Sequence, residues 1–307
     1  MRERAFSSPA TPSSTGRRCE VAERAGSHYG DTGIPESHAV AFAAGIARAG
    51  GTPVVATTAS FFQRAYDQFF QEMALNRQPV TLLSFLSGLS GSDNTHSGAY
   101  DIAMFGNITG LICLAPTSGY DFPGMLDWAT DPARRGSAHP GPILIRVPSE
   151  TVLAADAQSV YRATCESRGI TGADWLRWHA VRHGSEVAIL GLGNMLPLAL
   201  QVADALPFDA TVVDPRQFGS LDGEALDAIM GSHRLIVALE DGQREGGWGE
   251  KVATYCANRR LPRAVAPHVL TFGAVKEFTD RVPLDELDER YGLTIESVVD
   301  AVLGLID

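Results

Sequence analysis

Cysteine is scarce, with four in 307 residues (Cys19, Cys113, Cys165, Cys256) and no CxxC pair. A disulfide framework or a zinc site is therefore not expected, and a reducing, cytoplasmic setting fits best. No apolar run approaches the ~18–20 residues that span a bilayer, so no membrane partner is expected. Basic residues are outnumbered, 25 Lys and Arg against 36 Asp and Glu, giving a net charge of −11. That balance argues against nucleic acid as the main partner, because phosphate binding needs a basic footprint. Phosphate-cradling sequences are missing as well. No Walker glycine-lysine-serine/threonine run occurs, and Gly191-Leu192-Gly193 lacks the third glycine of a dinucleotide fingerprint, with Leu196 at that position. No GxSxG elbow supports a serine hydrolase. The amino-terminal stretch is rich in Ser, Thr, Pro and Arg but has no apolar core, so it is not read as a secretory signal. Residues 1–18 are expected to form a flexible tail.

What is present is ordinary globular composition, 45% hydrophobic and 20% charged, enough to bury a core over about two domains. From about residue 28, strands and helices alternate. A turn and helix span 33–49, with Val40, Ala43, Ala44 and Ala47 at helical spacing. Short apolar strands follow at 53–58, 79–85, 108–115 and 142–147, separated by helices at 61–76, 99–105 and 122–128. Continuously apolar strands joined by helices predict a parallel sheet covered on both faces. The rhythm lapses over 151–184, read as a linker, and restarts with strands at 186–191, 210–214, 234–240 and 268–272. The expected fold is α/β: two doubly wound domains, 19–150 and 185–307.

Three segments carry candidate chemistry. Glu36 stands where a loop enters a helix, a position that favours a carboxylate. Phe61, Phe62, Ala65 and Phe69 form an apolar helix stripe, with Arg64 beside it. Asp93, Asn94, Thr95 and His96 lie on a loop after a predicted strand, where ligands of parallel sheets bind. Asp93 and His96 are too few to hold a metal, so no metal ligand is assigned.

In order and spacing, these segments resemble the carboxyl-terminal half of the transketolase-like thiamine diphosphate enzymes, most closely 1-deoxyxylulose-5-phosphate synthase. The residues carrying the resemblance are 28–40 (HYGDTGIPESHAV), Phe61 to Gln68, Asp93 with Thr95 to Gly98, Gly141 to Arg146, Val187 to Gly191 and Thr211 to Asp214. The resemblance implies a pyrimidine-binding domain followed by a transketolase C-terminal domain. It further implies that Glu36 bonds the aminopyrimidine ring and is catalytic. Phe61 would stack on that ring and Ile34 would line it. His96 would be the substrate-facing histidine and Asp93 its neighbour in substrate binding. Arg64 and Arg146 would meet the substrate or its phosphate, for which guanidinium forks are suited.

The departures from the family pattern are informative. Its diphosphate-binding half carries a Gly-Asp-Gly sequence, which does not occur here; Asp241-Gly242 lies in the wrong domain and follows Glu240. The resemblance therefore implies one subunit of a split enzyme. Thiamine diphosphate and Mg²⁺ would be held jointly with a separate diphosphate-binding subunit, in an α2β2 heterotetramer. Leu86 and Gly106 stand where the synthase has arginines, which weakens a phosphate clamp and points away from glyceraldehyde-3-phosphate as acceptor. Substrate is expected to be a sugar or a 2-oxo acid. A β-subunit of a 2-oxo acid dehydrogenase E1 component and a non-catalytic partner subunit remain alternatives at the level of sequence.

Overall fold

The computed structural model describes residues 6–7, 23–149, 175–259 and 266–306. Two five-stranded sheets organise it. The first contains β1 (Phe6–Ser7), β2 (Val54–Thr58), β3 (Thr81–Phe85), β4 (Ile112–Leu114) and β5 (Ile143–Arg146), in the order β1-β2-β3-β5-β4. All its pairings are parallel. Within the span read as a flexible tail, Phe6 and Ser7 thus pair along β2; the rest of that tail lies outside the described residues. The second sheet contains β6 (His179–Arg182), β7 (Glu186–Gly191), β8 (Thr211–Asp214), β9 (His233–Gln243) and β10 (His268–Ala274), in the order β10-β9-β7-β8-β6. Only β6 runs antiparallel. It belongs to this sheet although it falls in the segment read as a linker. The span 150–174 of that linker lies outside the described residues.

Helices fall where the periodicity places them. They are α1 (Glu36–Arg48), a helical segment α2 over 59–74, α3 (Asp101–Phe105), α4 (Asp121–Thr130), α5 (Leu196–Ala205), α6 (Gly223–Ser232), α7 (Trp248–Asn258), α8 (Leu284–Tyr291) and α9 (Ile295–Ile306). The apolar stripe of α1 is buried as its spacing predicts, at Ala39, Val40, Ala43, Ala44 and Ala47. Segment α2 is irregular, with a tight 3-10 turn at Gln63–Ala65 and a wide π stretch at Phe69–Ala74. Phe62, Ala65 and Phe69 are fully buried; Phe62 packs edge to face on Phe69 and Phe105, and Phe69 and Phe105 are tilted against each other, with centroids 5.2–6.3 Å apart.

That aromatic cluster belongs to a core running through both domains, continuing into Leu190, Leu192, Phe218 and Trp248. Backbone contacts also cross the boundary. Ala115 N–H donates to the Arg216 carbonyl at 2.7 Å, and Phe218 N–H to the Cys113 carbonyl at 3.0 Å. The two units share one interior, and the carboxyl end of β9 faces the carboxyl ends of β3 and β5.

Glu240, in β9, is fully buried. Its carboxylate accepts the N–H groups of Trp248 (3.0 Å) and Gly249 (2.7 Å) at the start of α7. Burial outweighs these bonds and pushes its carboxyl up to about 7. The native state therefore keeps a proton that the unfolded chain releases above its ordinary value of 4.5. Stability from this group is greatest at acid pH and declines as pH rises from 4.5 to about 7. Glu240→Gln is expected to reduce that decline by on the order of 3 kcal/mol. The check is the melting temperature of both proteins from pH 4.5 to pH 8; parallel profiles would contradict it.

Candidate active site

The carboxyl-terminal edge of the first sheet gathers five of the seven residues singled out in the sequence into one line of contacts, with a sixth beside it. Glu36 is the first residue of α1, and its side chain is 3% exposed. The turn before it is set by Gly33, whose φ of 76° favours glycine and whose N–H donates to the Asp31 carboxylate at 2.8 Å. One Glu36 oxygen, Oε2, lies 3.4 Å from Arg64 Nη1, a long contact to a side chain that is 57% exposed. The other, Oε1, is buried and finds no hydrogen-bond partner among the described residues. A buried carboxylate oxygen left without a hydrogen bond costs about 1–3 kcal/mol.

Arg64 sits in the 3-10 turn of α2, where side chains three apart eclipse. Its guanidinium therefore lies over the Phe61 ring, 5.7 Å from the centroid. Phe61 is half-buried and meets the His96 ring edge-on at 5.2 Å. His96 Nδ1 lies 2.9 Å from Asp93 Oδ1. The same oxygen accepts the Thr95 backbone N–H at 3.0 Å and is bonded by the Thr95 hydroxyl. These bonds, the Thr95 hydroxyl first and His96 next, hold the Asp93 carboxyl well below the usual carboxylate range. An ionised Asp93 favours a proton on His96 Nδ1. Ile34, two residues before Glu36, is 72% exposed.

Arg146 does not join them. The residue expected to meet substrate is buried, at 3% exposed, among partners of its own chain. Nε and Nη2 bind the Asp101 carboxylate at 2.8 and 3.1 Å, and Nη1 binds Asp241 at 2.8 Å. Each nitrogen of the fork thus donates to a carboxylate of this chain. Burial works against the Arg146 charge, but the two carboxylates hold it on. The sequence signal missed here was the pair Asp101 and Asp241, buried acids that need a cation. At Gly106 the interior is equally closed: an added Cβ would sit 2.6 Å from the Ile102 carbonyl and 2.8 Å from Lys251 Nζ. A side chain at this position would have to displace these groups.

A cleft of about 1320 Å³ lies between the domains at the opposite, amino-terminal edge of β4 and β5, and is lined among others by Arg77, His139, Gln217 and Lys251. Its lining includes none of Ile34, Glu36, Phe61, Arg64, Asp93, His96 or Arg146. Volume alone points there, but the orphaned carboxylate and the paired imidazole point to the carboxyl-terminal edge, where parallel sheets bind ligands. Among the described residues no group of three or more His, Cys, Asp or Glu could hold a metal ion, and no helix is long and apolar enough to cross a membrane.

Two family profiles match the chain: the transketolase pyrimidine-binding domain over residues 6–150 and the transketolase C-terminal domain over residues 176–298. The chain belongs to the transketolase-like family. Among curated relatives, the 1-deoxy-D-xylulose-5-phosphate synthase of Lachnoclostridium phytofermentans is 31% identical over 276 residues, covering 89% of this chain and 41% of the relative. The synthase of Azoarcus sp. is 34% identical over 284 residues, covering 92% and 42%. The chain thus spans about two-fifths of the length of the curated relatives it matches. Among solved structures, a split gene transketolase described as an inactive beta4 tetramer superposes with a TM-score of 0.75 at 22% identity, covering 97% of this chain and 91% of that one. A Pichia stipitis transketolase mutant gives 0.72 at 17% identity, covering 98% and 43%. At those identities the likeness is one of fold, and it matches the two sheets described above.

The Asp93 assignment is open to direct titration. Thr95→Val removes the largest cause of its lowered value, so the Asp93 carboxyl should move up toward the ordinary carboxylate range. Carboxyl ¹³C NMR across pH 2 to pH 6 reads this; an unmoved midpoint would show that Thr95 does not hold the loop as described.

Proposed function

We propose that this chain is the pyrimidine-binding subunit of a split, thiamine diphosphate-dependent transferase. In this reading it makes or breaks a carbon–carbon bond next to a carbonyl and works only with a separate diphosphate-binding subunit. The observation that carries the reading is Glu36 Oε1, a buried carboxylate oxygen without a hydrogen-bond partner among the described residues, on a side chain linked through Arg64 to the Phe61 ring and two residues from the exposed Ile34. That surface fits one edge and one face of a planar heterocycle bearing a ring nitrogen.

The cofactor, when bound, supplies a thiazolium carbon able to store the electron pair left by the broken bond. This chain's residues do the rest. Glu36 Oε1 holds a proton at the pyrimidine nitrogen, a task suited to a carboxylate shielded from water. Phe61 offers its ring face for stacking, and Ile34 adds an apolar contact at the mouth. His96, oriented through Nδ1 by Asp93, faces substrate oxygens with Nε2 and moves a proton there. Arg64, with most of its charge exposed, attracts an anionic donor such as a 2-oxo acid. The diphosphate and Mg²⁺ ligands belong to the partner, and two such pairs form an α2β2 assembly. The solved split gene transketolase supports this division of labour, because it aligns with nearly the whole of the present chain.

The arginine-free positions Leu86 and Gly106 favour an acceptor without a phosphate. Arg146, turned inward, removes a third cation from the substrate side.

Glu36→Gln keeps the shape of the side chain but lacks the acid. Reconstituted with the diphosphate-binding subunit, it should assemble normally and lose roughly 10²–10⁴ of turnover. Assembly is read by light scattering and turnover by consumption of pyruvate or hydroxypyruvate. Wild-type turnover in the variant would remove the basis of this reading.

A further inference from the structure

The loop that carries Asp93, Thr95 and His96 is part of the first domain by sequence, yet the second domain grips its backbone. Leu89 N–H donates to the Asp241 carbonyl at 2.8 Å. Arg281 N–H donates to the Ser92 carbonyl at 3.1 Å, and Gln243 N–H to the Ala99 carbonyl at 2.6 Å. The contacts fall at the start, the middle and the end of the loop. Across its mouth, Gly88 N–H donates to the Gly98 carbonyl at 3.3 Å. Gly91 lies so close to the second domain that an added Cβ would stand 3.3 Å from the Val282 carbonyl.

The entry to the loop is the tightest point. The chain leaves β3 through Leu86 at φ 49° and Gly88 at φ 80°, two left-handed residues within three positions. A Cβ on Gly88 would stand 2.0 Å from Asp241 Oδ2 and 2.8 Å from Arg146 Nη2. Only a residue without a side chain passes beneath that carboxylate. Asp241 thus touches the loop twice, its carbonyl bonded to Leu89 and its carboxylate set against Gly88. The carboxylate has one orientation, because Arg146 Nη1 and Asn194 Nδ2 each donate to one of its oxygens at 2.8 Å. Asn194 is itself fixed, its amide oxygen accepting the Ser149 N–H at 3.1 Å. Arg146 is fixed by the bidentate Asp101.

We infer that Asp241 is a positioning residue for the site: held by Arg146 and Asn194, it sets the path of the loop over 87–98. The second domain thereby decides where Asp93 and His96 stand against Phe61. The catalytic consequence rests on the function proposed above; the structural one does not. Asp241 acts on the substrate-facing half of the site and leaves Glu36 and Phe61, on α1 and α2, untouched. Its loss should therefore separate turnover from cofactor binding.

Full-length Asp241→Asn, Asp241→Ala and Gly88→Ala test this. Gly88→Ala disturbs the same contact without altering the buried charges, so it serves even where Asp241→Ala fails to fold. Hydrogen exchange of peptides covering 86–99 is compared with exchange of β3 as an internal standard. Asp241→Ala and Gly88→Ala should exchange the loop about tenfold faster with β3 still protected, and Asp241→Asn, which keeps an oxygen for Arg146, should fall between. In the complex with the diphosphate-binding subunit, the same variants should lose about tenfold or more in turnover while thiamine diphosphate affinity stays within about twofold. Unchanged loop exchange in a folded variant overturns the inference. So does a parallel loss of affinity and turnover, which would mark general destabilisation. A wild-type complex that turns nothing over would instead count against the proposed function and leave the exchange result standing.

Discussion

One buried guanidinium ties the molecule together. Arg146 ends β5, the strand inserted between β3 and β4, and faces Asp101 at the start of α3 and Asp241 in β9 of the other domain. Two acids and one cation, all nearly without solvent access, make an arrangement that no single member can leave cheaply. Removing one partner of such a group strands a charge in the interior, a change worth roughly 3–5 kcal/mol. Burial pushes the Asp101 carboxyl up, against the pull of Arg146. The cluster lies at the carboxyl ends of strands from two sheets, the edge where parallel-sheet proteins bind ligands.

The residues of the candidate site form a different electrostatic setting. Glu36 is shielded but incompletely bonded, Arg64 is exposed, and Asp93 with His96 stands at the surface on a loop. Arg146, each of whose nitrogens donates to a carboxylate of this chain, contrasts with Glu36, one of whose oxygens has no hydrogen-bond partner among the described residues.

The sequence made much of this legible. Periodicity placed both sheets because parallel strands buried on both faces read as short apolar runs, and α1 because its small residues recur at helical spacing. That Glu36, Arg64, Phe61, His96 and Asp93 lie in one line of contacts rests on local geometry: a helix start, a 3-10 turn, a three-residue loop hydrogen bond. The contacts of Arg146 with Asp101 and Asp241, 45 and 95 residues away, were not legible, because no local pattern encodes that meeting. The same holds for the grip of the second domain on the loop, which is made mostly by backbone groups and leaves no residue signature beyond Gly88. Strand β6 escaped notice because it is four residues long, antiparallel and at an edge, with only His179 buried.

The central claim is that this chain presents one wall of a thiamine diphosphate site and that a second subunit supplies the other. Calorimetric titration of thiamine diphosphate with Mg²⁺ tests it most directly, on the chain alone and on its complex with the diphosphate-binding subunit. The account predicts no measurable binding to the chain alone and saturable binding to the complex. Tight binding by the isolated chain would mean that the diphosphate is held by residues of this chain, and the two-subunit site would be wrong.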